Sequence, residues 1–129
     1  MARRTIDELL AEAQARLERV TPAEALEAQQ AGALVIDTRS HDERARHGVI
    51  DGAVHVPLSV LPWRLDPDYE YRDPELCDLT RQVILVCADG YSSSFAAVLL
   101  REIGFDRATD VAGGFNGWQS AGLPVESVP

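Results

Sequence analysis

The chain has 129 residues, 46% of them hydrophobic and 26% charged, with 12 basic against 21 acidic side chains for a formal net charge of −9. This composition is typical of one globular domain and argues against a disordered, collagen-like or coiled-coil chain. The acidic balance disfavours nucleic acid and an anionic membrane surface as partners, because both require a positive face. No apolar stretch approaches the roughly 18 residues of a membrane span, and no signal-peptide core follows Met1, so we expect a cytoplasmic protein.

Helical periodicity organises the first third of the chain. Three capping boxes, in which a hydroxyl and a carboxylate satisfy free backbone donors, mark helix starts: Thr5 with Glu8, Thr21 with Glu24, and Ser40 with Glu43. The spacing of apolar residues predicts an amphipathic helix over 5–19 and a second helix over about 21–31. We therefore predict an N-terminal helical segment, 1–20, ahead of a single domain formed by 21–129.

Short aliphatic runs between the helices predict strands at 33–36, 53–56, 83–86 and 109–111. Continuous aliphatic runs are typical of a parallel sheet that is covered by helices on both faces. Strands that alternate with helices predict an α/β domain. The segment 62–79, with three prolines and three aromatic residues, predicts a long surface excursion. It is either a functional loop or an insertion packed by its own aromatic side chains.

Cys87 lies at the carboxyl end of the most apolar predicted strand, where open α/β sheets bind ligands. A short loop follows it, and a strong helix is predicted from Phe95 to Gly104. Loop amides and a helix N-terminus would stabilise a thiolate, which is the reactive form of cysteine. A cysteine that ends a strand is also commonly a small buried hydrophobe, so position alone leaves both interpretations open. The loop residues are Ala88, Asp89, Gly90, Tyr91 and Ser92.

Three motifs occur in order between about residues 20 and 125. The first is Asp-x-Arg at 37–39, followed by Gly-Val-Ile-Asp-Gly-Ala at 48–53. The second is Cys-x-x-Gly-x-Ser-Ser at 87–93, and the third is Gly-Gly-Phe-Asn-Gly-Trp at 113–118. Together they resemble the rhodanese-like domain family, and they are most similar to the single-domain thiosulfate sulfurtransferases of bacteria.

The resemblance implies a three-layer α/β domain with about five parallel strands flanked by helices, and an active site in the loop after Cys87. It implies that Cys87 takes a sulfane sulfur from thiosulfate or from a persulfide-carrying protein, holds it as a persulfide and passes it to a nucleophile. It implies neither a metal nor an organic cofactor. The alternative is a catalytically weak rhodanese-like module that binds or senses persulfides.

The loop departs from the family pattern in its charge. It contains no cation, and Asp89 adds a negative charge two residues after the thiol. Thiosulfate, a dianion, would need a cation from elsewhere, and the candidates are Arg39 and Arg64. Arg39 is either a substrate contact or a member of a structural ion-pair network, and Arg64 either reaches the site or is solvated.

Smaller details of the site are also open to prediction. We expect Gly90 to adopt a positive φ or to allow a close approach of the backbone. Ser92 is a candidate hydrogen-bond partner of the Cys87 sulfur, and Cys77 is interpreted as a half-buried core thiol. A cysteine phosphatase is disfavoured, because its phosphate-clamping arginine would have to stand where Ser93 does.

Overall fold

The aliphatic runs form one sheet in the computed structural model, which describes residues 2–129. All four strands are parallel, and their spatial order is β2-β1-β3-β4. The strand order reverses between β1 and β3, and such a reversal opens a crevice beyond the carboxyl ends of the two strands. The strands are β1 (Leu34–Asp37), β2 (Val54–His55), β3 (Val83–Val86) and β4 (Ala108–Asp110).

Helices cover both faces of the sheet and give the predicted three layers. Helices α1 and α4 pack against α5 on one face, and α2 packs against α6 on the other. Within β1, Leu34 and Ile36 enter the first core and Val35 enters the second, as the alternation of a strand requires. The helices are α1 (Ile6–Ala15), α2 (Pro22–Gln30), α3 (His41–His47), α4 (Leu61–Leu65), α5 (Ser92–Ile103) and α6 (Gly114–Ser120).

The first helix ends earlier than its periodicity predicts, and the sheet has four strands instead of about five. Helix α1 stops at Ala15, and the chain then extends so that Val20 forms a single parallel bridge with Val111. The Val20 amide donates to Asp110 O at 3.2 Å, and Val20 O accepts from the Ala112 amide at 2.8 Å. The expected fifth strand is therefore one bridge at the sheet edge, and the segment that leads to it, from Arg16 to Arg19, was predicted as helix.

The predicted excursion at 62–79 contributes to the core instead of lying wholly on the surface. Its N-terminal part belongs to α4, and Pro74–Leu76 forms a 3₁₀ turn. Leu61, Leu65 and Leu76 are buried in the core that α5 also lines, whereas its aromatic residues, Trp63, Tyr69 and Tyr71, are exposed. The prolines hid this apolar spacing, because they interrupt any long helical pattern.

Residues 2–129 contain neither a membrane-spanning helix nor a metal-binding cluster of acidic, histidine and cysteine side chains. No helix in this range is long and apolar enough to cross a membrane. In the same range, no group of three or more His, Cys, Asp or Glu side chains is arranged to hold a metal ion.

Candidate active site

Cys87 follows β3 directly, and its sulfur lies under the loop that leads into α5. The side chain is buried, with 6% of the residue exposed. The Gly90 amide donates to Cys87 Sγ at 3.1 Å, and the thiol donates to Ser93 Oγ at 3.2 Å. Helix α5 begins at Ser92, so the amides of its first turn have no acceptor within the helix. The sulfur therefore lies in a backbone environment that favours negative charge.

Helix α6 holds the opposite side of this loop. The Phe115 amide donates to Cys87 O at 2.8 Å, and the Asn116 amide donates to Ala88 O at 3.0 Å. A Cβ on Gly114 would lie 2.5 Å from Cys87 O, so only glycine permits this approach. Helix α6 thus fixes the carbonyls of Cys87 and Ala88, in the same loop whose Gly90 amide donates to the sulfur.

Gly90 has the backbone conformation predicted for it. Its φ is +82°, in the region that favours glycine. An added Cβ would lie 2.9 Å from the Gly113 amide nitrogen and 3.0 Å from Val111 O. The prediction of a positive φ is confirmed, and the close approach is to backbone atoms on the far side of the loop from the sulfur.

The hydrogen-bond partner of the sulfur is Ser93, and not Ser92 as the sequence suggested. Helix α5 starts three residues before the predicted Phe95, which directs Ser93 inward and leaves Ser92 exposed. Both Ser93 Oγ and Ser94 Oγ donate to Asp110 Oδ2 at 2.7 Å. Asp110 inside a predicted strand was the available signal, because a carboxylate that a strand buries needs polar partners.

Arg19 completes this polar cluster. Its Nε donates to Asp110 Oδ1 at 2.8 Å, and its Nη2 donates to Gly90 O at 2.8 Å and to Asp110 Oδ2 at 3.2 Å. The carboxylate is fully buried, whereas the arginine side chain keeps 22% of its surface exposed. Arg19 thus binds the outer side of the loop and neutralises Asp110 without reaching the sulfur.

A cleft of about 410 Å³ opens above Cys87, at the carboxyl ends of β1 and β3. It is large enough for a small sulfur donor, and it lies at the reversal of strand order where open α/β sheets bind ligands. A larger cleft, of about 520 Å³, lies away from Cys87 between α2 and α6. The cleft above the cysteine is lined by Thr38, Arg39, Ser40, Glu43, Pro57, Leu58, Ser59, Cys87, Ala88 and Ser92.

Most of the chain matches one known domain family. The model of the rhodanese-like domain family matches residues 21–121. The chain belongs to this family. The match covers every strand of the sheet, the loop after Cys87 and helix α6.

Curated relatives carry the name thiosulfate sulfurtransferase GlpE. The protein from Actinobacillus succinogenes is 36% identical over 109 residues, which are 84% of this chain and 89% of that relative. The protein from Actinobacillus pleuropneumoniae is 48% identical over a shorter segment of 50 residues, which are 39% of this chain and 46% of that relative. This rhodanese-like chain is thus similar to single-domain sulfurtransferases over most of its length.

A solved structure from Rhodopseudomonas palustris superposes on the chain with a TM-score of 0.88 and 29% sequence identity. The alignment covers 98% of this chain and 97% of that one, whose description is a protein of unknown function and "Possible Tyrosine Phosphatase". In the rhodanese-like chain, Ser93 occupies the sixth position after Cys87, where a cysteine phosphatase requires the arginine that clamps phosphate. The chain therefore lacks the phosphate-clamping arginine that a cysteine phosphatase requires at this position.

Of the two candidate cations, Arg39 lines the cleft but its guanidinium is already bound. It donates to Asp37 Oδ1 at 3.0 Å, to Asp37 Oδ2 at 2.8 Å and to Gly48 O at 2.8 Å, and it lies 3.7 Å from the centroid of the Phe115 ring. Only 4% of the residue is exposed. This is the structural ion-pair network, the second of the two roles that the sequence left open.

Arg64 is not brought to the site. Its Nη1 donates to Tyr71 O at 2.6 Å, and its Nη2 lies 3.9 Å from Asp73 Oδ2, outside the residues that line the cleft above Cys87. Asp89 is exposed, and its Oδ1 accepts from Asn116 Nδ2 at 2.7 Å. The acidic side chain that the sequence placed beside the thiol is therefore bound to α6 at the surface.

Cys77 is a half-buried free thiol, as predicted. It donates to Asp73 O at 3.1 Å. Burial raises the pKa of the Cys77 thiol, an effect that nearby Arg72 opposes. A thiol that resists ionisation is a poor nucleophile, so of the two cysteines it is Cys87 that has the environment of a reactive group.

Proposed function

We propose that the protein is a sulfurtransferase that carries a sulfane sulfur on Cys87. The observation that supports this most strongly is the position of Cys87 Sγ, at the base of an open cleft and 3.1 Å from the Gly90 amide. The family membership and the similarity to relatives named thiosulfate sulfurtransferase agree with it. The loop that holds the sulfur runs from Ala88 to Ser92.

The reaction has two half-reactions with a covalent intermediate. In the first, the Cys87 thiolate attacks the outer sulfur of thiosulfate; a sulfur–sulfur bond forms to Cys87, and the donor's own sulfur–sulfur bond breaks with its electron pair leaving on sulfite. In the second, a nucleophilic acceptor such as cyanide attacks the outer sulfur of the persulfide and releases the thiolate. Neither half-reaction needs a metal or an organic cofactor.

The Gly90 amide and the first turn of α5 would stabilise the terminal charge of the persulfide as they do that of the thiolate. Each charge-assisted hydrogen bond contributes about 1.5–3 kcal/mol. No free cation lines the cleft within the described chain, since the guanidinium of Arg39 is bound to Asp37. A neutral donor, or a persulfide carried on another protein, therefore suits the site as well as thiosulfate does.

The absence of a free cation along the described lining of the cleft also favours a second candidate function. In that case the domain would bind or sense persulfides and turn over slowly. A sensing module differs from the enzyme in its rate of turnover, whereas a module that only binds has no need of Cys87.

Replacement of Cys87 tests the proposal. We expect Cys87→Ser to abolish sulfur transfer from thiosulfate to cyanide and to leave the fold intact, because oxygen barely changes the volume but forms no persulfide. Mass spectrometry of the wild type after incubation with thiosulfate should show the mass of one added sulfur on Cys87. Cys77→Ser is the matched control and should keep both properties. Transfer activity that survives in Cys87→Ser would contradict the proposal, and sulfur uptake without turnover would favour the sensing module.

We also propose a division of the chain into two parts and a cellular compartment. We assign residues 1–20 to an N-terminal element and 21–129 to the rhodanese-like domain; the family match begins at residue 21, and Leu17 packs the element onto the core. We also place the protein in a reducing compartment such as the cytoplasm, where Cys77 and Cys87 remain free thiols.

A further inference from the structure

Ser93 lies between the nucleophilic sulfur and a buried carboxylate. Its hydroxyl oxygen is 3.2 Å from Cys87 Sγ and 2.7 Å from Asp110 Oδ2. Ser93 and Asp110 are both fully buried. The three groups therefore form one chain of hydrogen bonds, in which the direction of each bond depends on the next.

The serine hydroxyl has only one proton to donate. An ionised carboxylate is an acceptor only, so the short contact with Asp110 requires Ser93 to donate its proton there. Towards Cys87, Ser93 can then only accept, and the sulfur must supply the proton of that bond. In this arrangement the Ser93 hydroxyl stabilises the thiol form of Cys87. A Cys87 thiolate would instead face a lone pair of the Ser93 oxygen and receive no hydrogen bond from it.

Asp110 is held as an anion by its other partners. It accepts from Arg19 through Nε and Nη2, and from the Ser94 hydroxyl at 2.7 Å. Arg19 Nε, Arg19 Nη2 and the Ser94 hydroxyl all donate to this carboxylate, so towards Ser93 it acts as a hydrogen-bond acceptor. Its effect is to fix the direction of the Ser93 hydroxyl.

We propose that Ser93 and Asp110 are positioning residues that keep the resting Cys87 protonated, with Asp110 orienting the Ser93 hydroxyl so that it accepts from the thiol. This deepens the proposed function and rests on it, because Cys87 is the group that carries sulfur. Ionisation of Cys87 then requires the Ser93 proton to turn from Asp110 to the sulfur, while Arg19 and Ser94 remain as donors to the carboxylate. The resting hydrogen-bond chain thus opposes ionisation of the idle thiol.

The other charged groups around Cys87 do not replace this effect. From the side of β1 and α3, Arg39 and Glu43 line the cleft; Arg39 is paired with Asp37, and Glu43 accepts from the Ser40 amide at 3.2 Å. From the loop itself, Asp89 turns to α6. From the segment after α1, Arg19 reaches Gly90 O and Asp110. Ser93 is therefore the hydroxyl that couples the sulfur to a charge.

The test uses the rate at which iodoacetamide alkylates Cys87, followed over a pH range of about 5 to 10 by peptide mass spectrometry. In the wild-type background, Ser93→Ala removes an acceptor from the thiol, and we expect the midpoint of the profile to fall by about 0.4 to 1 pH unit, the equivalent of one net hydrogen bond. Ser94→Ala is the matched control, since Ser94 donates to Asp110 without touching the sulfur, and should not lower the midpoint.

Asp110→Asn reverses the direction of the chain. Its amide oxygen can keep the bond from Arg19 Nε, and Arg19 Nη2 still donates to Gly90 O. The amide nitrogen then takes the position of Oδ2 and faces the Ser93 hydroxyl. The amide then donates to Ser93, and the hydroxyl turns to donate to the sulfur, so the midpoint falls. In this background, adding Ser93→Ala removes a donor to the thiolate and should raise the midpoint by about 0.4 to 1 pH unit.

The reversal of sign between the two backgrounds is the decisive result. If Asp110 has a purely electrostatic or structural role, Ser93→Ala shifts the alkylation midpoint in the same direction in the wild-type and Asp110→Asn backgrounds. That result overturns the proposal, and so does an unchanged midpoint in both backgrounds. If Asp110→Asn does not fold, as thermal unfolding would show, a rise of the midpoint in Ser93→Ala alone is enough to overturn it. Alkylation needs no sulfur donor, so the alkylation midpoints do not depend on whether thiosulfate loads Cys87. Failure of the proposed function would appear only in the transfer assay and in the mass spectrum after incubation with thiosulfate.

Discussion

Gly90→Ala should damage the site more than its single added carbon suggests. The residue has a φ of +82°, which costs an L residue about 1–2 kcal/mol. The new Cβ would lie 2.9 Å from the Gly113 amide nitrogen and 3.0 Å from Val111 O, and neither backbone atom yields cheaply. The loop must therefore move, and the bond of 3.1 Å from the Gly90 amide to Cys87 Sγ is lost.

The magnitude of the activity loss follows from that bond. A charge-assisted hydrogen bond to a thiolate or persulfide contributes about 1.5–3 kcal/mol, so we expect kcat/KM for transfer from thiosulfate to cyanide to fall about 10- to 150-fold. The free energy of unfolding in urea should also fall, by more than the backbone cost alone.

Gly122→Ala is the matched control for the backbone cost. Gly122 has a φ of +76° in an exposed turn after α6, and an added Cβ would meet nothing within 4 Å. This variant should lose about 1–2 kcal/mol of stability and no activity. If Gly90→Ala keeps full activity and loses no more stability than Gly122→Ala, the argument from close backbone approach is wrong.

Three other substitutions test separate parts of the structure. Arg39→Ala leaves the Asp37 carboxylate buried without its main partner, and urea unfolding should show a loss of about 3–5 kcal/mol; a loss below about 1 kcal/mol would contradict the structural role. Asp89→Ala should lower KM for thiosulfate by less than about threefold, because the carboxylate is exposed and bound to Asn116, and this effect should shrink as the salt concentration rises. A change in KM of about tenfold at high salt would show that the Asp89 charge acts within the site. Cys77→Ser should keep activity. Because burial raises the pKa of the Cys77 thiol in the folded state, the free energy of unfolding of the wild type should fall relative to this variant as the pH rises through 9.0, the ordinary thiol value, and beyond. Parallel curves of unfolding free energy against pH would show that the thiol ionises alike in the folded and unfolded states.

Local sequence patterns predicted the elements that depend on local physics. The strand at Val83–Val86 is a continuous aliphatic run, and the capping boxes of Thr5, Thr21 and Ser40 all form as predicted. The position of Cys87 at the end of that strand followed from the same run. Helix α5 began earlier than predicted because Tyr91, which precedes its first residue, makes no side-chain cap that a pattern could reveal.

Partners distant in the chain could not be predicted in this way. Arg19 and Asp110 are separated by 91 residues, and nothing near either residue in the sequence specifies the other. Their pairing draws the chain after α1 into the sheet edge, which is why the helix is shorter than its periodicity indicates. The bond from the Cys87 thiol to Ser93 was missed for a related reason, because a shift of one position along a helix changes which side chain turns inward.

The contacts between α6 and the loop after Cys87 also bear on protein engineering. The shape of the loop depends on the amides of Phe115 and Asn116 and on Gly90 and Gly114, and none of these uses a side chain at positions 88, 89, 91 or 92. Those four side chains are exposed or half-exposed, and those of Ala88 and Ser92 line the cleft. They form a set of sites where charge and size can be varied in a library while the backbone that holds the sulfur is left unchanged. The side chains that line the cleft and the backbone contacts that hold the loop are therefore separate, and a designer can alter the first without rebuilding the second.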